Sequence, residues 1–114
     1  MHEMGIVYHV ADEIERIADE QDLHHVRRVT LQIGEVTGVI FSYMEDLWTW
    51  VSDKSMLLKG SKLEHEEIHA LTRCCQCGRV YDTVPQGRQC PSCGSWDTVL
   101  IQGNEYIIKQ IEAD

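Results

Sequence analysis

Four of the five cysteines of this 114-residue chain fall into two matching turns, Cys74-Cys75-Gln76-Cys77-Gly78 and Cys90-Pro91-Ser92-Cys93-Gly94, with twelve residues between Cys77 and Cys90. A Cys-x-x-Cys turn aims two side chains at one point. The trailing glycine supplies a left-handed backbone position that lets nearby amides turn toward the sulfurs. Two such turns close a tetrahedron, and four thiolates at about 2.3 Å from the ion suit Zn²⁺ and leave no open position for water or substrate. Cys74, Cys77, Cys90 and Cys93 are therefore expected to hold a structural zinc ion. A redox or disulfide role is disfavoured, since both turns carry the glycine and nothing points to an oxidising compartment. Cys75 is expected to be a bystander, because adjacent side chains do not easily enter one tetrahedron.

The remaining residues leave room for one modest core beside the metal-stapled lobe, and little for a deep catalytic cleft. The formal charge is −9, with ten Lys and Arg among nineteen Asp and Glu. It falls to about −11 once four thiolates and one Zn²⁺ are included. That balance argues against a nucleic-acid partner, which needs a basic patch. No run of about 18 apolar residues is present, and Met1-His2-Glu3 lacks the basic start and apolar stretch of a signal peptide. A cytoplasmic protein without a membrane partner is expected.

Met4, Val7, Tyr8, Ala11, Ile14 and Ala18 recur at three- and four-residue steps, which predicts an amphipathic helix over roughly residues 4–21. Val29, Leu31 and Ile33 alternate with polar residues up to Gly34, a strand pattern. Ser42-Tyr43-Met44-Glu45 has the form of a capping box, and Met44, Leu47, Trp48 and Val51 share one face of a second helix over roughly 43–53. Residues from about 54 to 61 read as a loop. Leu63 to Thr72 leads into the first cysteine turn, and the runs Thr98–Gln102 and Tyr106–Glu112 flank the turn pair Gly103-Asn104. The last run has more apolar surface than a ribbon covers, so it is expected to return to the early strand and helices. The expected fold class is α+β: a small sheet with two helices over residues 1–72, completed by 98–114, and an inserted four-cysteine zinc-ribbon domain over 73–97.

His65-Glu66-Glu67-Ile68-His69 matches the His-Glu-x-x-His pattern of zinc metalloproteases. That chemistry needs a helix. On a strand, at 3.3 Å per residue, the two imidazoles stand roughly 13 Å apart and share no ion. An exposed polar strand face is expected there, and no catalytic residue is assigned. His24-His25 reads as a solvated helix-to-strand junction, and His9 as an exposed helix residue. His2 differs because of its place in the chain. The α-amine of Met1, the His2 amide and the His2 imidazole can form fused chelate rings, and the Glu3 amide completes four nitrogens in a plane. Square-planar nitrogen ligation suits Ni²⁺ or Cu²⁺.

Met1-His2-Glu3-Met4 at the start of an amphipathic helix, Val29-x-Leu31-x-Ile33-Gly34-Glu35 with Gly38-Val39, the paired cysteine turns, and Gly103-x-Glu105 before Ile111-Glu112 together resemble the HypA/HybF family of nickel-insertion proteins. The resemblance spans essentially the whole chain. It implies an α+β nickel domain with the N-terminal site Met1, His2 and Glu3, an inserted zinc domain, and no enzymatic activity. It also implies delivery of Ni²⁺, with an accessory GTPase, to the large subunit of [NiFe]-hydrogenase. In some organisms urease and its accessory proteins are served as well, and the resemblance leaves room for a homodimer. One departure is local: Ile40 follows Gly38-Val39 where family members often carry an acidic residue that can assist nickel. The competing readings are a zinc-ribbon adaptor without transferable metal and a small metallohydrolase using His65, Glu66 and His69.

Overall fold

The computed structural model describes residues 3–114. Met1 and His2, on which most of the expected nickel site falls, lie outside the described residues. The chain runs α1 (Glu3–Gln21), β1 (Val26–Gly34), α2 (Phe41–Ser52), β2 (Lys62–Ile68), β3 (Leu71–Cys74), β4 (Val80–Asp82), α3 (Thr83–Gln86), β5 (Thr98–Gln102) and β6 (Tyr106–Ala113). It is a mixed α+β fold with two three-stranded sheets, ordered β2-β1-β6 and β4-β3-β5. Two compact units result. One comprises residues 1–32, 38–66 and 107–114, the other residues 33–37 and 67–106.

In the first unit α1 packs against α2. Its buried residues are Ile6, Val7, Val10, Ala11, Ile14 and Ala18. This corrects the expected stripe: Met4 and Tyr8 are 40% and 43% exposed. Ile6 and Val10 widen the buried arc on one side, and Met4 and Tyr8 fall off its other edge. Val26, Val29 and Leu31 of β1, Met44, Trp48 and Val51 of α2, and Leu57, Leu58 and Leu63 supply the rest of the interior. Each such side chain contributes about 1.5–3 kcal/mol on burial. Trp48 is the largest, and its indole N–H donates to Ser61 Oγ at 3.0 Å, so its one polar atom is satisfied.

α1 ends in a Schellman turn. Asp22 takes φ +56°, and the Leu23 N–H donates to the Ala18 carbonyl at 3.0 Å. Asp is one of the few side chains that tolerate this conformation. The start of α2 differs from expectation. Its N-cap is Ile40 and no side chain of the cap bonds the helix, so the Ser42-x-x-Glu45 box is not formed. Ser42 lies too far inside the helix to act as a cap. The acceptor comes from Glu3, whose Oε2 receives the Ile40 N–H at 2.9 Å.

β6 lies beside β1 in the first sheet, as its apolar content required. Charges on this sheet pair across the strands: Arg28 with Glu64 at 3.6 Å and Glu112 at 3.4 Å, and Lys109 with Glu66 at 2.7 Å. Such exposed pairs are each worth about 0–1 kcal/mol. Their larger effect is on β2, an edge strand whose Lys62, Glu64, Glu66 and Glu67 discourage pairing with another chain.

In the second unit β3 is central. It pairs antiparallel with β4, Thr72 opposite Tyr81, and with β5, Cys74 opposite Thr98, with a bulge between Leu71 and Thr72. The segment from Leu63 to Thr72, which leads into the first cysteine turn as expected, is divided between β2 and β3 at His69-Ala70. The physical reason lies at Ala70, whose N–H goes to Glu35 Oε1 at 2.9 Å and whose carbonyl accepts the Thr83 N–H at 3.1 Å. With both polar groups engaged there, Ala70 is unavailable to a ladder. Nearby, the backbones of Gly34 and Gly103 nearly touch: the Gly34 N–H donates to the Glu105 carbonyl at 2.8 Å, and the Val36 N–H to the Gly103 carbonyl at 2.9 Å.

Candidate metal centre

The two cysteine turns adopt one geometry twice. Cys74 N–H donates to the Arg79 carbonyl at 2.8 Å and its own carbonyl accepts the Gly78 N–H at 2.9 Å. Cys90 N–H likewise donates to the Ser95 carbonyl at 2.9 Å and its carbonyl accepts from Gly94 at 3.0 Å. The turn closes only if the residue after the second cysteine turns left-handed, and Gly78 and Gly94 take φ +80° and +74°. Any other residue there would be strained by about 1–2 kcal/mol. β3 carries Cys74 into the centre and its partner β5 starts opposite it, so one knuckle is continuous with the sheet.

The four sulfurs converge. Cys74 Sγ and Cys93 Sγ are 3.5 Å apart, Cys77 Sγ and Cys90 Sγ 3.6 Å, and all four lie within 4.8 Å of one another. A tetrahedron with 2.3 Å zinc–sulfur bonds has edges of about 3.8 Å. The donor set therefore fits zinc, and no side-chain position is left for a reacting molecule. Cys74 and Cys90 are buried and form a small core with Tyr81, whereas Cys77 and Cys93 reach the surface. Cys75 is exposed and outside the cluster, as expected, with its N–H on the Asp97 carbonyl at 2.9 Å.

The charge state of the cluster follows from its amides. The Cys77 N–H lowers the Cys74 pKa against the opposing effect of burial. The Cys93 N–H, again against burial and aided by the Ser92 N–H and neighbouring thiols, lowers Cys90 to about 6. Cys93 goes the other way. The Ser95 N–H pulls it down, but Cys74, burial, Cys90 and Cys77 together push it up to about 12. Without a cation the site thus ionises readily in part and resists full ionisation. A divalent ion that neutralises the sulfurs removes that resistance, which is why such binding releases protons.

The histidines do not gather. Among the described residues the four cysteines are the one group of three or more ligating side chains close enough for a shared ion. His65 lies within β2, and its ring stacks on Phe41 with centroids 3.8 Å apart. His69 follows the end of β2 and is held by two carboxylates, Nδ1 3.2 Å from Glu35 and Nε2 2.9 Å from Asp82. The rings serve different partners and the segment is not helical, so the metalloprotease pattern has no structural counterpart. Asp82, then burial in opposition, then Glu35 and Glu67 set the His69 pKa, with a net upward shift. Sequence reasoning missed this trio, since its three residues come from separate segments. His24 and His25 are surface residues, with His25 Nε2 3.1 Å from the Lys59 carbonyl, and His9 is exposed.

Of the expected nickel residues, Glu3 is described. It is half-buried in the first turn of α1, with its carboxylate on the Ile40 amide. It lines a cavity of about 450 Å³ with Met4, Tyr43, Asp46 and Leu47. Among the described residues no helix is long and apolar enough to cross a membrane.

Comparison with known proteins places these features in a wider set. Residues 1–113 match a family profile described as hydrogenase/urease nickel incorporation, metallochaperone, hypA. A hydrogenase maturation factor HypA from Dehalococcoides mccartyi is 33% identical over 114 residues, covering all of this chain and 95% of the relative. Another, from Streptomyces avermitilis, is 32% identical over 113 residues, covering 97% and 86%. The solution structure of the Ni metallochaperone HypA from Helicobacter pylori superposes with a TM-score of 0.77 at 23% identity, covering 99% of this chain and 97% of that one, and so shares the fold.

Proposed function

The chain belongs to the HypA family of hydrogenase/urease nickel-incorporation metallochaperones, which are not enzymes, and from that premise we propose how its own residues hold and release the metal. Nickel is the cargo. It is bound at the N-terminus by the Met1 amine, the His2 amide and imidazole, and the Glu3 amide, four nitrogens that satisfy the planar preference of Ni²⁺. The match over residues 1–113, which takes in the Met1-His2-Glu3 start, is the observation that carries this reading. As the first residue of α1, Glu3 places its amide in the turn whose N–H groups no carbonyl of the helix reaches. Using that nitrogen for metal costs the helix none of its own bonds.

A site at a chain end suits transfer. Its ligands can be displaced one at a time by an incoming protein, whereas the four thiolates of the ribbon enclose their ion. The first unit, with residues 1–32, 38–66 and 107–114, acts as the nickel domain, and the second, which carries the four cysteines, keeps Zn²⁺ as a resident structural ion that stabilises folding. The recipients are the large subunit of [NiFe]-hydrogenase and, in organisms that make it, the urease system. A hydrogenase-accessory GTPase takes part in the transfer, which occurs in the cytoplasm. No nucleic acid or membrane is involved, and the chain can act as a homodimer.

The experiment is a complementation assay with zinc content measured in parallel. His2→Ala is expected to abolish hydrogenase maturation in a strain lacking the native gene, while the purified variant keeps its zinc and its far-UV spectrum. Full maturation supported by His2→Ala would remove the N-terminal site from the account.

A further inference from the structure

We propose that the Glu3 carboxylate is a positioning group that latches the first turn of α1 onto the start of α2, and that it is not a nickel ligand. This rests on the N-terminal reading of nickel binding and assigns the third residue of that site two separate tasks, one for its amide and another for its side chain. The observation is the hydrogen bond from the Ile40 N–H to Glu3 Oε2 at 2.9 Å, spanning 37 positions of sequence. Ile40 is the N-cap of α2 and has no side-chain acceptor to offer the helix. In a capping box, the residue three places into the helix reaches back to the N-cap amide. Here that place is held by Tyr43. Glu3 fills the same role from another helix.

Electrostatics favours the arrangement twice. The carboxylate lies in the first turn of α1 and on the cap amide of α2, and each helix start carries partial positive charge. Turning the Glu3 carboxylate oxygen to a metal would break a charge-assisted hydrogen bond and leave the cap amide without its acceptor. Nor does the metal need it. Amine, two amides and imidazole already fill a square plane. What position 40 supplies to the latch is its backbone N–H, which any residue but proline provides. By holding the first turn of α1 against α2, the latch fixes the Glu3 amide, the nitrogen that this residue offers the metal.

The test uses zinc-loaded full-length chain with its native N-terminus and titrates NiCl₂ calorimetrically into Glu3→Ala, Glu3→Gln and Ile40→Ala, with amide hydrogen exchange read at position 40. Glu3→Ala is expected to weaken nickel binding about tenfold, the size of one lost charge-assisted hydrogen bond, and to raise exchange at Ile40. Glutamine keeps an acceptor oxygen without a carboxylate, so Glu3→Gln should recover both readouts to within about threefold. Ile40→Ala keeps the donor and should match the parent in both. Glu3→Gln binding nickel as weakly as Glu3→Ala while Ile40 stays protected would make the carboxylate a ligand and overturn the proposal. So would a Glu3→Ala protein unchanged at Ile40. A parallel His2→Ala titration separates the two levels: unchanged nickel binding there sinks the N-terminal reading, and exchange at Ile40 still decides whether the latch exists.

Discussion

Replacing Gly34 by alanine should destabilise the second unit by about 2–4 kcal/mol, although the change adds a single methyl group. That methyl would stand 2.1 Å from the Gly103 carbonyl oxygen, 2.2 Å from its carbon and 2.7 Å from the Asn104 nitrogen. Comfortable heavy-atom contact needs about 3.5 Å. The obstruction is backbone, so no rotamer change relieves it and the segments must part by roughly 1 Å or more. They are pinned by the Gly34 to Glu105 and Val36 to Gly103 hydrogen bonds at 2.8 and 2.9 Å. Overpacking costs about 1–3 kcal/mol, and a strained or broken backbone bond adds about 1 kcal/mol. Gly5→Ala is the control of opposite sign. Its methyl meets nothing within 4 Å, and helix propensity favours alanine by about 0.5–1 kcal/mol. Urea unfolding of both zinc-loaded variants, with no added zinc and followed by far-UV circular dichroism, should move the Gly34→Ala midpoint down by roughly 1 M or more. A Gly34→Ala midpoint matching the parent, with Gly5→Ala behaving as expected, would show that the two backbones do not cross this closely.

Three further outcomes follow from the second unit. Cys90→Ala should lose its zinc on metal analysis while Cys75→Ala retains about one ion per chain, since Cys75 lies outside the cluster; full retention in Cys90→Ala would refute the ligand assignment. The His69 pKa is raised, so its contribution to stability is complete below its unfolded value near 6.5 and disappears as pH rises through the folded value. The parent should therefore exceed His69→Gln in urea midpoint at about pH 6 and converge with it in alkali, and a gap that widens with pH would contradict the assigned partners. Tyr81 Oη is buried without a hydrogen-bond partner among the described residues, so Tyr81→Phe should be neutral or stabilising by about 1 kcal/mol in thermal unfolding, whereas a clear loss would mean that the hydroxyl is satisfied.

Much of this was legible where a local pattern has one physical solution. Gly-trailed Cys-x-x-Cys turns converge for steric and electronic reasons, and they converge here. The three- and four-residue spacing of Val7, Ala11, Ile14 and Ala18 marked α1, and the apolar last run was expected beside the early strand, where β6 lies with Ile108 and Ile111 partly covered and Ile107 47% exposed. The misses occur where the outcome is decided across distant segments. Whether Tyr8 or Ile6 is buried depends on where α2 and the sheet lie, which periodicity does not say. Ser42 looked like a cap from the Ser-x-x-Glu spacing alone, whereas α2 starts at Phe41 and its N-cap amide, that of Ile40, is served by the distant Glu3. The break at Ala70 depends on Glu35 and Thr83, and the Glu35–His69–Asp82 cluster likewise unites three separate stretches. No spacing rule connects such residues. Met1 and His2 belong to the sequence reading alone.

The most direct measurement of the central claim is a nickel titration of zinc-loaded protein whose N-terminus has been extended by a few residues that a protease can remove. The extension keeps every side chain and turns the Met1 amine into a peptide nitrogen, so the account predicts weakened nickel binding in the extended protein and its return after cleavage. His2→Ala should bind as weakly as the extended form, with zinc content unchanged. Extended protein and His2→Ala that both bind nickel like the native chain would place the cargo site elsewhere and contradict the account.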